Sequence, residues 1–265
     1  MNYRLTILGC GSSGGVPRVG NDWGRCDPAN PKNRRLRCAM LIERRTSDGV
    51  TTALIDTGPD LREQLLSVRL KALDGVLYTH DHADHTHGID DLRAVAFAMK
   101  RRVPVWFDAA TRDTLISRFG YCFRTPEGGN YPPILEPHDI IAPEPVRITG
   151  GGGTIEITPI PQRHADMTSL GFRVDNVAYS PDISDVPESS IPLLQGLDLW
   201  IVDALRPVPH PSHFSVKQAL EWIDRLKVKR AILTHLTAEL DYATLKRELP
   251  EHVEPAYDGM VVEFR

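Results

Sequence analysis

Most of the chain is built from short runs in which apolar and polar residues alternate, and helical spacing interrupts them in a few places. Residues 4–8 alternate and are β-prone, which predicts a strand. Residues 38–43 and 51–56 predict a hairpin across Ser47-Asp48-Gly49. Pro59 opens a predicted helix whose Leu61, Leu65 and Leu66 face one way. Residues 75–79 predict a short buried strand that runs straight into a histidine cluster. Ile89, Leu92, Val95, Ala96 and Met99 then recur at helical spacing, and residues 103–107 predict another strand. Residues 121–145, rich in Pro and Gly, read as an irregular excursion, and Gly150 to Gly153 as a turn.

The second half repeats the style. Residues 154–160, 170–174 and 177–179 predict strands. Residues 197–202 predict a strand with Asp203 at its end. Ser215 and Gln218 form a capping box ahead of Val216, Ala219, Leu220, Ile223 and Leu226, the best-defined helix in the chain. Residues 231–234 predict a strand ending at His235, and residues 261–264 a closing strand. Strands from both halves mixed with helices predict an α/β (α+β) fold of packed sheets with helices outside.

Composition narrows this little. A length of 265 residues allows one large or two small domains. No repeat and no clean linker divides the chain, so a single domain over residues 1–265 is expected. Hydrophobic residues at 41% and charged residues at 25% exclude a mostly disordered chain. A net charge of −4 supplies no global positive field, so no stable nucleic-acid partner is expected. No run approaches the ~18 apolar residues of a membrane span. The opening MNYRLTILG lacks the layout of a signal peptide. Cys10, Cys26, Cys38 and Cys122 are too few and too scattered for a disulfide scaffold. The expected compartment is therefore the cytoplasm.

The chemistry is concentrated in the histidines. His80-Asp81-His82-Ala83-Asp84-His85 packs metal-ligating groups directly after a predicted strand. His80 and His82 can grip one ion, and Asp84 and His85 a second. One loop cannot complete two shells. His164, Asp182 and His235 each follow a β-run and are the candidates to complete them. A lone residue of this kind is more often a hydrogen-bonded core or surface group. Their shared position past a strand is what marks these three.

With Asp56 in Leu54-Ile55-Asp56-Thr57-Gly58, this order resembles the metallo-β-lactamase superfamily over essentially the whole chain. The resemblance implies a four-layer αββα sandwich and two divalent metal ions. It assigns His80, His82 and His164 to one ion, and Asp84, His85 and His235 to the other. Asp182 would bridge them, and Asp56 would orient a ligand from behind. Leu8 to Pro17, Ser212-His213-Phe214-Ser215 and Tyr257-Asp258-Gly259-Met260 resemble the phosphonate-pathway (PhnP-like) cyclic phosphodiesterases. Such relatives often carry a structural zinc on clustered cysteines and a histidine, and a homodimer is common among them. Here the loop 21–30 holds only Cys26, and Ala238 stands where the extra histidine is expected, so no structural zinc is predicted.

Gly9, Gly11 and Gly14 also satisfy G-x-G-x-x-G, but Pro17, Gly20, Asn21 and Asp22 follow where a dinucleotide site needs a helix start. That reading is rejected. The glycines instead permit close backbone passage or a tight turn. Ser12 and Ser13 in this loop, with His213, are the candidate substrate-binding residues.

Two divalent ions outweigh two carboxylates and one hydroxide, which leaves a net positive site suited to a phosphodiester anion. Paired ions can hold a nucleophile and polarise a phosphoryl oxygen, and histidine-rich shells without cysteine suit zinc, manganese or iron. The leaving alkoxide needs a proton, which ligating histidines cannot give. His213, two residues before the helix cap, is the candidate general acid, with Asp84 also placed in the catalytic set. The resemblance puts the family's catalytic histidine at the same position. His210, in a Pro-rich loop, is its rival. His87, His138 and His252 have no comparable context, and the basic runs at 32–37 and 100–102 read as solvated faces.

The expected function is a binuclear metal-dependent phosphodiesterase acting on a small or cyclic phosphodiester, a nucleotide or ribosyl cyclic phosphate among them. A thioester, lactone or β-lactam hydrolase uses the same ligands. A tRNA-processing nuclease normally has a protruding RNA-binding arm, and no basic, glycine-rich insertion of that kind occurs here. A metal-holding or nucleotide-binding module without turnover is the non-enzyme alternative.

Overall fold

The predicted hairpin is present in the computed structural model, which describes residues 2–264. β2 (Ala39–Arg45) and β3 (Val50–Ile55) pair antiparallel, with Met40 opposite Ile55 and Arg45 opposite Val50. Their buried stretches converge at the Met40/Ile55 end, so the hairpin tip faces water and its far end enters the core.

β1 (Asn2–Gly9), β4 (Gly75–Leu77), β5 (Val103–Phe107), β6 (Leu135–Asp139) and β14 (Met260–Phe264) complete a seven-stranded sheet in the order β14-β1-β2-β3-β4-β5-β6. Strands β3 to β6 run parallel. Parallel strands need crossover segments, and helices supply them here. These are α1 (Leu61–Ser67), the short α2 (Ala83–Thr86), α3 (Leu92–Met99) and α4 (Ala109–Phe123). The apolar faces of α1, α3 and α4 join Leu54, Val76 and Val105 in one buried cluster. These elements form a compact unit built from the chain up to residue 8, residues 39–156 and the chain from residue 261.

Residues 9–38 and 157–260 form a second compact unit. The second sheet has the order β13-β12-β11-β10-β9-β8-β7, and it starts in the first unit with β7 (Val146–Gly150) and the beginning of β8 (Gly153–His164). β9 (Met167–Val174), β10 (Val177–Ser180), β11 (Leu199–Asp203), β12 (Arg230–Thr234) and β13 (Val253–Pro255) follow. β10 to β13 are parallel, and β8 and β9 form an antiparallel hairpin. α5 (Val216–Arg225) carries both halves of its capping box and buries Ala219 and Ile223. α6 (Tyr242–Glu248) is capped by Asp241. Trp200, Phe214, Leu233 and Ile223 share the core of this unit.

Four expectations need correction. Leu66 is 57% exposed, and Gln64 takes its place on the buried face of α1 with Leu61 and Leu65. Residues 121–145 are not wholly irregular, because α4 reaches Phe123 and β6 pairs with β5 inside that span. β8 continues past Pro159 and Pro161 to His164, so His164 ends the strand rather than following it. These prolines are two residues apart and direct their missing donors to one side, along a stretch that the five-residue β7 is too short to flank. β13 and α6 lie where no element was expected.

Candidate metal centre

In the first unit the site grows out of the ends of β3 and β4. Asp56 follows β3 in a left-handed conformation, φ 65, which aspartate tolerates better than most residues. Its backbone N–H donates to Leu77 O at 2.9 Å, which ties the two strand ends together. Its buried carboxylate accepts the Thr79 N–H at 2.8 Å and the Thr79 hydroxyl at 2.9 Å. It also lies 2.7 Å from His85 Nδ1. Burial pushes the Asp56 carboxyl up, and the His85 imidazole draws it back down. The backbone clamps the same loop: Thr57 N–H donates to His85 O at 2.7 Å, and Gly88 N–H donates to Thr57 O at 2.7 Å. A Cβ at Gly88 would collide with Gly58 O, so only glycine lets the loop close this tightly.

With Nδ1 given to Asp56, Nε2 is the His85 atom that could hold a metal. That atom lies 3.5 Å from Asp84 Oδ2, on the first turn of α2. The His80 ring lies 4.5 Å from that of His82 and 4.4 Å from that of His85. The His80-to-His85 block therefore gathers in this unit, with the Asp56 carboxylate against the Nδ1 side of His85. His87 instead contacts Phe119 edge-on and points away from this role.

In the second unit the candidates again sit at strand ends. His164 closes β8, and its Nδ1 donates to Ser212 O at 2.6 Å. Its Nε2 lies 3.7 Å from Asp182 Oδ2. Asp182 follows β10 through Pro181, and its backbone carbonyl accepts the Ser169 hydroxyl at 2.6 Å. Its other carboxylate oxygen lies 3.4 Å from His235 Nε2. One oxygen thus faces each histidine, the disposition a bridging carboxylate needs. His235 follows β12 with φ 57.

His213 is buried in the same group. Its ring stacks on His235 at 4.6 Å and meets His164 edge-on at 4.7 Å. Asp182, His213 and His235 each offer a ligand atom within 4.8 Å of the others. Sequence reasoning assigned no role to Asp203, which ends β11 and has Oδ2 2.7 Å from His213 Nδ1. Its position at a strand end was the available signal. His210 lies 5.4 Å from His213, ring to ring, and its Nδ1 is engaged by the Ser212 hydroxyl at 2.9 Å. Burial, and then the nearby His213, hold the His210 imidazole below its ordinary value, which disfavours its proton-giving form.

The glycine-rich opening lies along the residue after His235. Leu236 N–H donates to Cys10 O at 2.8 Å, and Ser12 N–H donates to Leu236 O at 3.4 Å. A Cβ on Gly11 would stand 3.0 Å from both Arg35 Cβ and Leu36 O, so close passage explains that glycine. Turns follow Gly14, and no helix starts there. Ser12 is buried and Ser13 exposed. Cys26 packs with Val16, Ala238 and Trp23, and its Sγ donates to Ala238 O and Leu240 O.

The donor set fits divalent cations. It is rich in imidazole nitrogens and carboxylates, and Asp56 and Ser212 O fix two of the rings from behind. Among the described residues no helix is long and apolar enough to cross a membrane.

Comparison with known proteins agrees with this reading. Residues 51–236 match the family model described as "Beta-lactamase superfamily domain". A crystal structure titled as a new diphosphatase from the PhnP family is 35% identical, with a TM-score of 0.88, covering 100% of this chain and 98% of that one. Zn(2+)-bound PqqB from Methylobacterium extorquens, 16% identical with a TM-score of 0.71, covers 98% of this chain and 99% of its own, and shares the fold. A Porphyromonas gingivalis (strain ATCC BAA-308 / W83) protein named octanoyltransferase is 31% identical over 263 residues, 97% of this chain. The chain spans about half of that relative, 51% of its length. The mixed α/β architecture, the His/Asp clusters at strand ends and the matched segment together make this chain a member of the β-lactamase superfamily domain family, with the metallo-β-lactamase fold and PhnP-like resemblance.

Proposed function

We propose that the chain is a binuclear metal-dependent phosphodiesterase for small or cyclic phosphodiesters, with nucleotide and ribosyl cyclic phosphates as the candidate substrates. His80, His82 and His164 would hold one ion, Asp84, His85 and His235 the other, and Asp182 would bridge. Zinc, manganese and iron suit this set. When bound, such ions polarise a phosphoryl oxygen and make a nucleophile available at neutral pH.

The chain's own contribution is orientation and a proton. Asp56 and Ser212 O hold Nδ1 of His85 and His164, so each ring presents Nε2. Asp203 holds Nδ1 of His213, which leaves His213 Nε2 to protonate the leaving oxygen. This His213–Asp203 pair is the observation that carries the reading. Alkoxide leaving groups need an acid far more than thiolates do, so the pair favours a phosphodiester over a thioester. The PhnP-family diphosphatase at 35% identity supports the same choice. The octanoyltransferase name belongs to a protein of which this chain spans 51%, and its activity is not carried over.

Ser12 and Ser13 belong to the proposed substrate-binding set, in which buried Ser12 lies beside Leu236. A single hydrolase domain over residues 1–265, a cytoplasmic location, the absence of a stable nucleic-acid partner and a homodimer complete the proposal. The test is a substrate panel with metal-reconstituted protein: a bis-aryl phosphate, a 2′,3′-cyclic nucleotide, a thioester and a β-lactam. Phosphodiester turnover that is lost on chelation is expected. Thioester turnover without phosphodiester turnover would overturn the reading.

A further inference from the structure

His235 hands the chain directly to a turn, residues 236–242, that leads into α6. One segment of the same unit, residues 25–35, gathers the polar groups of that turn. Arg25 N–H donates to Ala238 O at 2.8 Å. Asn33 Oδ1 accepts the Tyr242 N–H at 2.7 Å, and Asn33 Nδ2 donates to Asp241 at 2.7 Å. Arg35 spans the turn's centre, with Nη1 donating to Thr237 O at 3.0 Å and Nη2 to Leu240 O at 2.7 Å.

Arg35 is 1% exposed, which corrects the expectation that the basic run at 32–37 is a solvated face. The hydrogen-bond partners of its guanidinium are neutral: the two carbonyls, Cys26 Sγ at 3.7 Å and Asn33 Oδ1 at 3.5 Å, while the Asp258 carboxyl feels its charge from farther off. Burying a cation is costly unless hydrogen bonds replace its water. An apolar side chain could fill the space but would leave the two carbonyls without this donor, so the guanidinium acts through its hydrogen bonds rather than through bulk. What the guanidinium adds is a planar fork that fixes two carbonyls of one turn at a set separation.

We propose that Arg35 is a positioning residue for His235. By locking carbonyls 237 and 240 it fixes the backbone just beyond the histidine, and so the aim of the imidazole. Leu236, between them, is already held on its other side by Cys10 and Ser12. The inference rests on the reading of His235 as a metal ligand.

The experiment compares zinc affinity in wild type, Arg35→Met, Arg35→Lys and Leu115→Ala, by competition with a chromophoric chelator on protein shown to be folded by circular dichroism. Leu115 is fully buried in the other unit and serves as the purely destabilising control. In Arg35→Met one of two ions should weaken about ten- to a hundredfold, the scale seen when groups behind metal ligands are removed. Arg35→Lys, which keeps the charge but not the fork, should recover part of the loss. Leu115→Ala should melt earlier and still hold both ions as wild type does. Wild-type affinity in Arg35→Met, or an equal loss in Leu115→Ala, would overturn the inference. If Arg35→Met does not fold, Arg35→Lys decides, and unchanged affinity there overturns it. Wild-type protein that takes up no zinc removes the ligand reading itself and this inference with it, a result distinct from the others.

Discussion

Asp203 Oδ2 lies 2.7 Å from His213 Nδ1, and the same oxygen accepts the Ile183 N–H at 3.1 Å. A carboxylate held this way favours the tautomer with hydrogen on Nδ1, and Nε2 is then the atom that would exchange protons in the proposed reaction. Asp203→Asn should lower kcat on diesters with alkyl leaving groups by about a hundredfold or more. A nitrophenolate leaves without help, so the loss on an aryl diester should be much smaller. Turnover measured across leaving groups of rising pKa should fall more steeply in the variant. An equal loss on every substrate would point to His213 acting as a ligand with Asp182 and His235 instead.

In the proposed centre Asp56 would work at one remove from the metal. It accepts from Thr79 and faces His85 Nδ1, and asparagine tolerates its left-handed backbone. Asp56→Asn should therefore fold and still weaken metal affinity by about ten- to a hundredfold. Chelator competition measures this directly. Unchanged affinity would mean that the bond to His85 serves only packing.

What the sequence made legible follows from where the candidate ligands sit in this fold. Asp56, His80, Asp182 and His235 come at or just beyond the ends of β3, β4, β10 and β12, and β-runs are visible in a sequence because their period is short. The pairing of His213 with Asp203 was not visible, because the connection from β11 to α5 carries no periodic pattern to show that it folds His213 back onto the strand end ten residues earlier. α4 escaped for another reason. It buries Thr111, Leu115, Cys122 and Phe123, has non-helical angles at Phe119 and leaves Tyr121 exposed, so its apolar residues draw no clean stripe. Only its N-cap, Asp108 accepting from Thr111 N–H at 2.8 Å, is regular. Leu66 misled because leucines at 61, 65 and 66 share a face on paper, whereas the short α1 turns Gln64 inward.

The capping box of α5 was read from sequence and is present in full, with Ser215 Oγ accepting the Gln218 N–H and Gln218 Oε1 accepting the Ser215 N–H. Ser215→Ala should cost about 1 kcal/mol of stability. His213 lies two residues upstream, but Phe214 is separately pinned by its N–H to Ile183 O at 2.7 Å. The variant should therefore lose stability in urea titration while retaining its metal. A loss of metal alongside would show that the cap also holds the His213 loop.

Asp258 makes the pH dependence of folding testable. Its Oδ2 accepts the Leu36 N–H at 2.7 Å, and its Oδ1 accepts the Cys10 N–H at 3.1 Å. Burial pushes its carboxyl up to about 7, against the pull of those donors. An aspartate in an unfolded chain titrates near about 3.9. Between these values the folded chain holds a proton that the unfolded chain has released. Stability from this group is therefore greatest below about pH 4, declines as pH rises toward 7 and is level above it. Asp258→Asn cannot titrate, so the melting temperature of wild type minus that of the variant should shrink from pH 4 to pH 7 and then stay constant. Taking the difference removes the contribution of the clustered histidines, which both proteins share. A difference that grows with pH would mean that the Leu36 and Cys10 donors outweigh burial and that Asp258 is a carboxylate in the fold.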